Sequence, residues 1–223
     1  MFSMMNMRST SVAEDLTAKA RIRDAAVRRY AADGMDAPLR AIAADAGVSP
    51  GLIVHHFGSR AGLRQACDEY VLEQIRRTKS SVIGAQHPPG ALLSQMAEAE
   101  EYAPLVGYVL RCLQAGGKLA SDFVEQMVAD AIVYIEDGVR SGVIRPSRDP
   151  EGRARVLVEM AVGALLLQLP ARQEHLDLDE LPAWFRSYTE RILLPLLELF
   201  TEPLFTDRSF LDAYLAARQR SAT

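Results

Sequence analysis

The sequence predicts an all-α fold, with a three-helix N-terminal head and a larger helical body. Three observations carry that expectation. Strand signals are nearly absent along the 223 residues. Apolar residues recur every three or four positions, the spacing of one helix face. Gly and Pro punctuate the chain at helix-length intervals, as at Gly34, Gly47, Gly116-Gly117, Pro150 and Pro203. A chain of this length buries a sizeable core in one large domain or two small ones.

Taken in order, residues 1–15 are Met-rich and lack the basic-then-apolar layout of a leader, so they read as a flexible tail. The head spans 16–58. Thr17 can cap a first helix running to about Asp33, with Ile22, Ala26 and Tyr30 on one face. Pro38 suits the first turn of a short second helix to about Asp45. Ser49-Pro50 reads as N-cap plus first residue of a third helix to about His56. The body spans 59–223. Ser59 opens a long fourth helix to about Lys79, and Gly84 to Gly90 is a loop. Further helices are expected near 91–101, 104–115, 118–141, 150–169, 181–200 and 207–219, with a kink at Pro195.

Charge is unevenly spread. The chain carries −4 overall, yet residues 17–65 hold Lys19, Arg21, Arg23, Arg28, Arg29, Arg40, Arg60 and Arg64 against only Asp24, Asp33, Asp36 and Asp45. A basic head on an acidic body suits a nucleic-acid reader with a separate second half. Cys67 and Cys112 are too few for a disulfide framework and suit a reduced, cytoplasmic protein. The most apolar stretch, Met160 to Leu169, is too short to cross a membrane. Gly117-Lys118 lacks the flanking residues of a phosphate loop, no nucleophile elbow occurs, and no Cys/His cluster is spaced for zinc. No metal, cofactor or catalytic residue is therefore expected.

Residues 38–57, PLRAIAADAGVSPGLIVHHF, place two short helices around a tight turn at Gly47. In a helix-turn-helix the second helix enters the major groove N-terminal end first. Leu39, Ile42, Ala43 and Ala46 can pack inward, and Val48 can plug the corner. Ser49 caps the second helix, whose free N–H groups and dipole favour phosphate. Pro50, Gly51 and Leu52 begin that helix and can meet bases or thymine methyls; Gly51 lets the backbone approach closely. Arg60, just after the Ser59 cap, can reach a phosphate.

Residues 17–63 resemble the TetR-family DNA-binding domain. The matching features are Ala25-Ala26, Tyr30, Gly34, Ile42-Ala43, Ala46-Gly47-Val48-Ser49, Gly51, His56-Phe57, Ser59-Arg60 and Leu63. The resemblance implies a sequence-specific DNA-binding regulator, a repressor released from a palindromic operator by a small-molecule effector and acting as a homodimer. It also implies that Arg40 points toward the groove, where an Arg can read guanine bidentately, and that His55 meets a phosphate. Val54 departs from the pattern, which usually has Tyr there, and Pro38 replaces a usual hydroxyl residue. Arg23 and Arg29 stand where apolar residues are frequent, free for phosphate or solvent. The alternative is a helical enzyme or interaction module in which the motif is coincidental; the motif and the basic skew argue against it.

In the body, Tyr108, Arg111 and Met127 are the expected effector residues, since a ligand cavity mixes large apolar groups with sparse polar ones. Arg111, in an apolar stretch, calls for an acidic partner or an anionic ligand. Helices near 150–169 and 181–200 are apolar on two faces, which implies two partners each. Leu157, Ala161, Leu165, Tyr188, Ile192 and Leu196 are the expected dimer residues, pairing with their symmetry mates.

Overall fold

The computed structural model describes residues 3–83, 99–168, 176–202 and 204–221, and among them it holds nine helices and no strand. They are α1 (Ser3–Asp33), α2 (Leu39–Ala46), α3 (Pro50–Phe57), α4 (Arg60–Ile83), α5 (Ala99–Ala115), α6 (Gly117–Arg140), α7 (Pro150–Gln168), α8 (Leu181–Thr201) and α9 (Ser209–Ser221). The all-α fold is as the sequence predicts. The loop at 84–90 and most of the helix expected at 91–101 lie outside the described residues.

Two boundaries differ from expectation. α1 begins at Ser3, so Thr17 lies inside the helix rather than capping it, and the segment read as a tail is helical. The reason is local: residues 3–16 contain neither Gly nor Pro. Pro104, read as a boundary, lies inside α5. It sits in the second turn, where a missing N–H removes a single intrahelical bond.

The chain divides into two compact units, residues 1–183 and 184–223. In the first, the expected head–body boundary at residue 58 is not a break in packing. One core joins Ile22, Tyr30, Ile42 and Ile53 of α1–α3 to Leu63, Cys67 and Val71 of α4 and to Tyr108 and Cys112 of α5. α1 and α5 cross closely at Gly107, where a Cβ would stand 3.0 Å from that of Ala31. A second core pairs Val128, Ala131 and Ile135 of α6 with Ala154, Val158 and Val162 of α7. The second unit holds α8 from Trp184 onward and α9; Trp184 stacks on Tyr188 with ring centroids 5.8 Å apart.

Candidate nucleic-acid interface and the helices behind it

The α2–α3 corner is built by local sequence. Gly47 ends α2 in the left-handed conformation (φ 63°, ψ 39°), which a Cβ would strain. Its N–H donates to Ala44 O at 3.1 Å, and Val48 N–H donates to Ala43 O at 2.9 Å. That pair of bonds satisfies the last carbonyls of α2. Val48 then packs against the core as the corner plug. Ser49 Oγ accepts from Leu52 N–H at 3.3 Å, and Pro50 stands in the first turn of α3.

α3 is two-faced. Ile53 is buried, and Leu52 and Phe57 pack against the core. Pro50, Gly51, Val54 and His55 are exposed, at the i, i+1, i+4, i+5 spacing of one face. Leu52 is half-buried, and its side chain helps to seat the helix on the core. Gly51 has open space, since a Cβ there would meet only Ser49 Oγ at 3.8 Å. Val54, 46% exposed, occupies the outward face in place of the usual Tyr.

Arg40 is exposed on α2. Asp36 faces Arg60 at 3.7 Å. Arg60 also donates from Nη2 to Met35 O at 3.0 Å, tying the start of α4 to the α1–α2 connection. The remaining guanidinium nitrogens are what it can offer a phosphate. Gly62 closes the α3–α4 corner: a Cβ there would lie far inside contact distance of the Phe57 carbonyl oxygen and 3.2 Å from its carbon.

Arg23 and Arg29, which the sequence left for phosphate or solvent, make contacts within the chain. Arg29 grips Asp45 with two bonds of 2.7 Å and Asp33 with one of 2.9 Å, stapling α1 to α2. Bonds to Asp45 and then Asp33 hold its guanidinium pKa above the usual value. Arg23 lies 3.7 Å from the Tyr70 ring centroid and pairs with Asp24. The Arg29–Asp45 staple was invisible in sequence because the partners are 16 residues apart.

Behind the head, α5 grips both helices that leave it. Tyr108 donates its hydroxyl to Asp68 Oδ1 of α4 at 2.6 Å. Arg64 Nε donates to the same oxygen at 3.0 Å, and Arg64 Nη2 reaches Cys112 Sγ at 3.1 Å. Burial, and then the Asp68 carboxylate, push the Tyr108 phenol pKa up. One turn along, Arg111 donates to Ala31 O at 3.2 Å and Ala32 O at 2.9 Å, the last carbonyls of α1. A cation at a helix C-terminus is favourably placed. Arg111 thus ties α5 to the last turn of α1 through its backbone carbonyls. Met127 is half-buried against both cores. An open cleft of about 480 Å³ runs between α4 and α6, lined by residues that include Asp68, Leu72, Glu73, Leu119, Phe123 and Asp130. Tyr108, Arg111 and Met127 do not line it.

The expected dimer helices sort by face. In α7, Ala154, Val158 and Val162 are buried, and Leu157 packs against them. Val156, Met160 and Leu167, the last 84% exposed, run with Gly163 along the other face. In α8, Tyr188 is buried while Leu194, Leu197 and Leu199 are exposed. Within the single chain Tyr188 is buried and Leu157 is half-buried. Ala161 is exposed; Leu165, Ile192 and Leu196 are half-buried. Both cysteines are free and buried. Among the described residues no cluster could hold a metal ion, and no helix is long and apolar enough to cross a membrane.

These features define a helix-turn-helix on an α-helical body, and comparison with known proteins gives its family. Residues 22–67 match the model of bacterial regulatory proteins of the tetR family, and residues 100–206 match the tetracyclin repressor-like C-terminal domain. The HTH-type transcriptional regulatory protein RaaS of Mycobacterium tuberculosis is 46% identical over 206 residues, 92% of this chain and 95% of that one. The chain belongs to the TetR family of transcriptional regulators. Its fold is similar to a TetR-family regulator from Streptomyces coelicolor (TM-score 0.54, 17% identity, 91% of this chain and 98% of that one). It is also similar to one described as a putative TetR-family regulator from Rhodococcus sp. (TM-score 0.53, 20% identity, 78% and 97%).

Proposed function

We propose that the chain is a cytoplasmic, homodimeric repressor that reads a palindromic operator and leaves it when a small effector binds the body. The observation that supports this best is the outward face of α3. Pro50 and Gly51 stand exposed at the end where Ser49 caps the helix, His55 stands exposed in its last turn, and Arg40 is exposed on α2. In this reading Arg40 reads a guanine, Pro50 and Gly51 lie against bases, and His55, Arg60 and the N–H groups at Ser49 hold phosphates. One such helix reads few base pairs, so two copies supply the specificity.

The body supplies control through α5. Tyr108 and Arg111 hold α4 and the end of α1. An effector that shifts α5 moves both, and with them the spacing of the two recognition helices. Effector and operator then bias one equilibrium, and each weakens the other's binding by the same factor. Tyr108, Arg111 and Met127 stand in this reading as the residues through which the effector acts.

Fluorescence anisotropy with DNA from upstream of the protein's own gene tests the proposal. Binding should exceed that to random DNA by ~1,000-fold or more and fall steeply with salt. In Arg40→Ala the preference at one base pair of each half-site should relax, at ~1–3 kcal/mol. Equal affinity for every DNA sequence would overturn operator reading.

A further inference from the structure

We propose that Val54 is a specificity residue whose methyl groups stand against the 5-methyl group of a thymine in each half-site. The proposal rests on the reading of α3 as the helix that enters the major groove, and it adds the base edge that this helix recognises.

α3 runs Pro-Gly-Leu-Ile-Val-His-His-Phe. It contains no Arg, Lys, Asn, Gln, Asp, Glu, Ser or Thr, the side chains that read base edges by hydrogen bonds. Ile53 is fully buried, and Leu52 and Phe57 pack against the core. The helix turns Pro50, Gly51, Val54 and His55 outward. Of these four, only His55 has a side chain that donates or accepts a hydrogen bond, and it stands in the last turn. The end of α3 that enters a groove first therefore presents an apolar face.

One group in the major groove answers such a face, the C5-methyl of thymine. Val54 is the side chain placed to meet it. It is 46% exposed although its neighbour Ile53 is fully buried. A phosphate gains nothing from Val, which has no donor. Val is stiff about χ1 in a helix, so its methyl groups form a fixed surface that loses little freedom on docking. Gly51 stands one turn earlier on the same face, and a side chain there would meet open space. With no side chain at Gly51 the helix backbone can sit deep in the groove, and Val54, ~4.5 Å further along the axis, comes with it. Guanine reading is left to Arg40 of α2, so the thymine and guanine positions are separate.

The test uses the full chain and DNA enriched from a random duplex pool. The enriched duplex is resynthesised with deoxyuridine in place of thymidine, one position at a time, which removes only the 5-methyl group. Fluorescence anisotropy gives the affinity of the wild type and of Val54→Ala, with circular dichroism confirming helicity. At one thymine of each half-site, uracil should weaken the wild type about fourfold, the worth of one buried methyl group. Val54→Ala should bind the thymine duplex more weakly than the wild type, and at that position it should bind the thymine and uracil duplexes about equally. An enriched half-site without thymine, a wild type indifferent to every uracil, or a Val54→Ala protein as sensitive as the wild type at every position would overturn the role of Val54 while leaving operator reading intact. A pool in which no sequence is enriched would overturn operator reading itself, and the Val54 contact with it.

Discussion

Gly51 stands in the first turn of α3 and Gly62 in the first turn of α4, and the space around each sets a different role. A methyl group at Gly51 meets only ordinary van der Waals contact, and the backbone there is helical. Gly51→Ala should therefore hold or raise stability by up to ~1 kcal/mol, while weakening operator binding about tenfold or more, because the added methyl stands on the DNA-facing side. Thermal melting and anisotropy on one preparation check both halves; unchanged affinity would remove Gly51 from the interface. At Gly62 the same methyl collides with the Phe57 carbonyl, a rigid backbone group. Gly62→Ala should cost ~1–3 kcal/mol in urea denaturation by forcing the α3–α4 corner apart. Residues whose role is local were legible in the sequence: the turn at Gly47, the plug at Val48, the cap at Ser49. Arg29 and Arg60 were not, because their partners Asp45 and Met35 are brought near only by the crossing of helices.

Among the elements, α4 and α5 share a buried polar contact that fixes their register. Tyr108→Phe removes the hydroxyl that reaches Asp68 but keeps the ring against Tyr30, whose centroid is 6.2 Å away. The loss should be ~1–2 kcal/mol, since Arg64 still serves the carboxylate. A melting temperature equal to wild type would show that the bond is not formed. The thiols beside it give a pH signature. Burial pushes the Cys67 pKa from the ordinary 9.0 up to about 12, and that of Cys112 to about 11. In the unfolded chain both ionise near 9.0, so their stabilisation is whole below that pH and is lost as pH rises toward the folded values. Between pH 9 and 11 the wild type should lose stability faster than Cys67→Ala, by roughly 1 kcal/mol per pH unit for that thiol. Parallel slopes in chemical denaturation at stepped pH would contradict this. Helix boundaries were legible where Gly forced them, as at Gly116-Gly117. They were not at Pro104, which a second helical turn absorbs, nor before Thr17, where nothing stops the helix.

At the scale of the whole molecule, the period of α7 announced two apolar faces, but periodicity alone does not say which face looks inward. The structure resolves it through α6: Ala154, Val158 and Val162 meet Val128, Ala131 and Ile135, and Leu157 joins them. Val156, Met160, Gly163 and Leu167 are left on the other side. Charge placed on the two faces of α7 should then act in different ways. Leu157→Glu puts a carboxylate against the α6–α7 core, where Leu157 is half-buried, and should cost ~1–3 kcal/mol. Met160→Glu puts the same group on the outward face of α7, where Met160 is 46% exposed, so the monomer should stay folded and only association should fail. Sedimentation at micromolar concentration should show Met160→Glu at the 24.5 kDa of one chain with the helical signal of the wild type. Operator affinity should fall toward the non-specific level in the same variant, because one recognition helix no longer has its twofold mate. A Met160→Glu protein that remains dimeric would move the interface away from this face of α7. A monomeric variant with full operator affinity would separate dimerisation from DNA reading altogether.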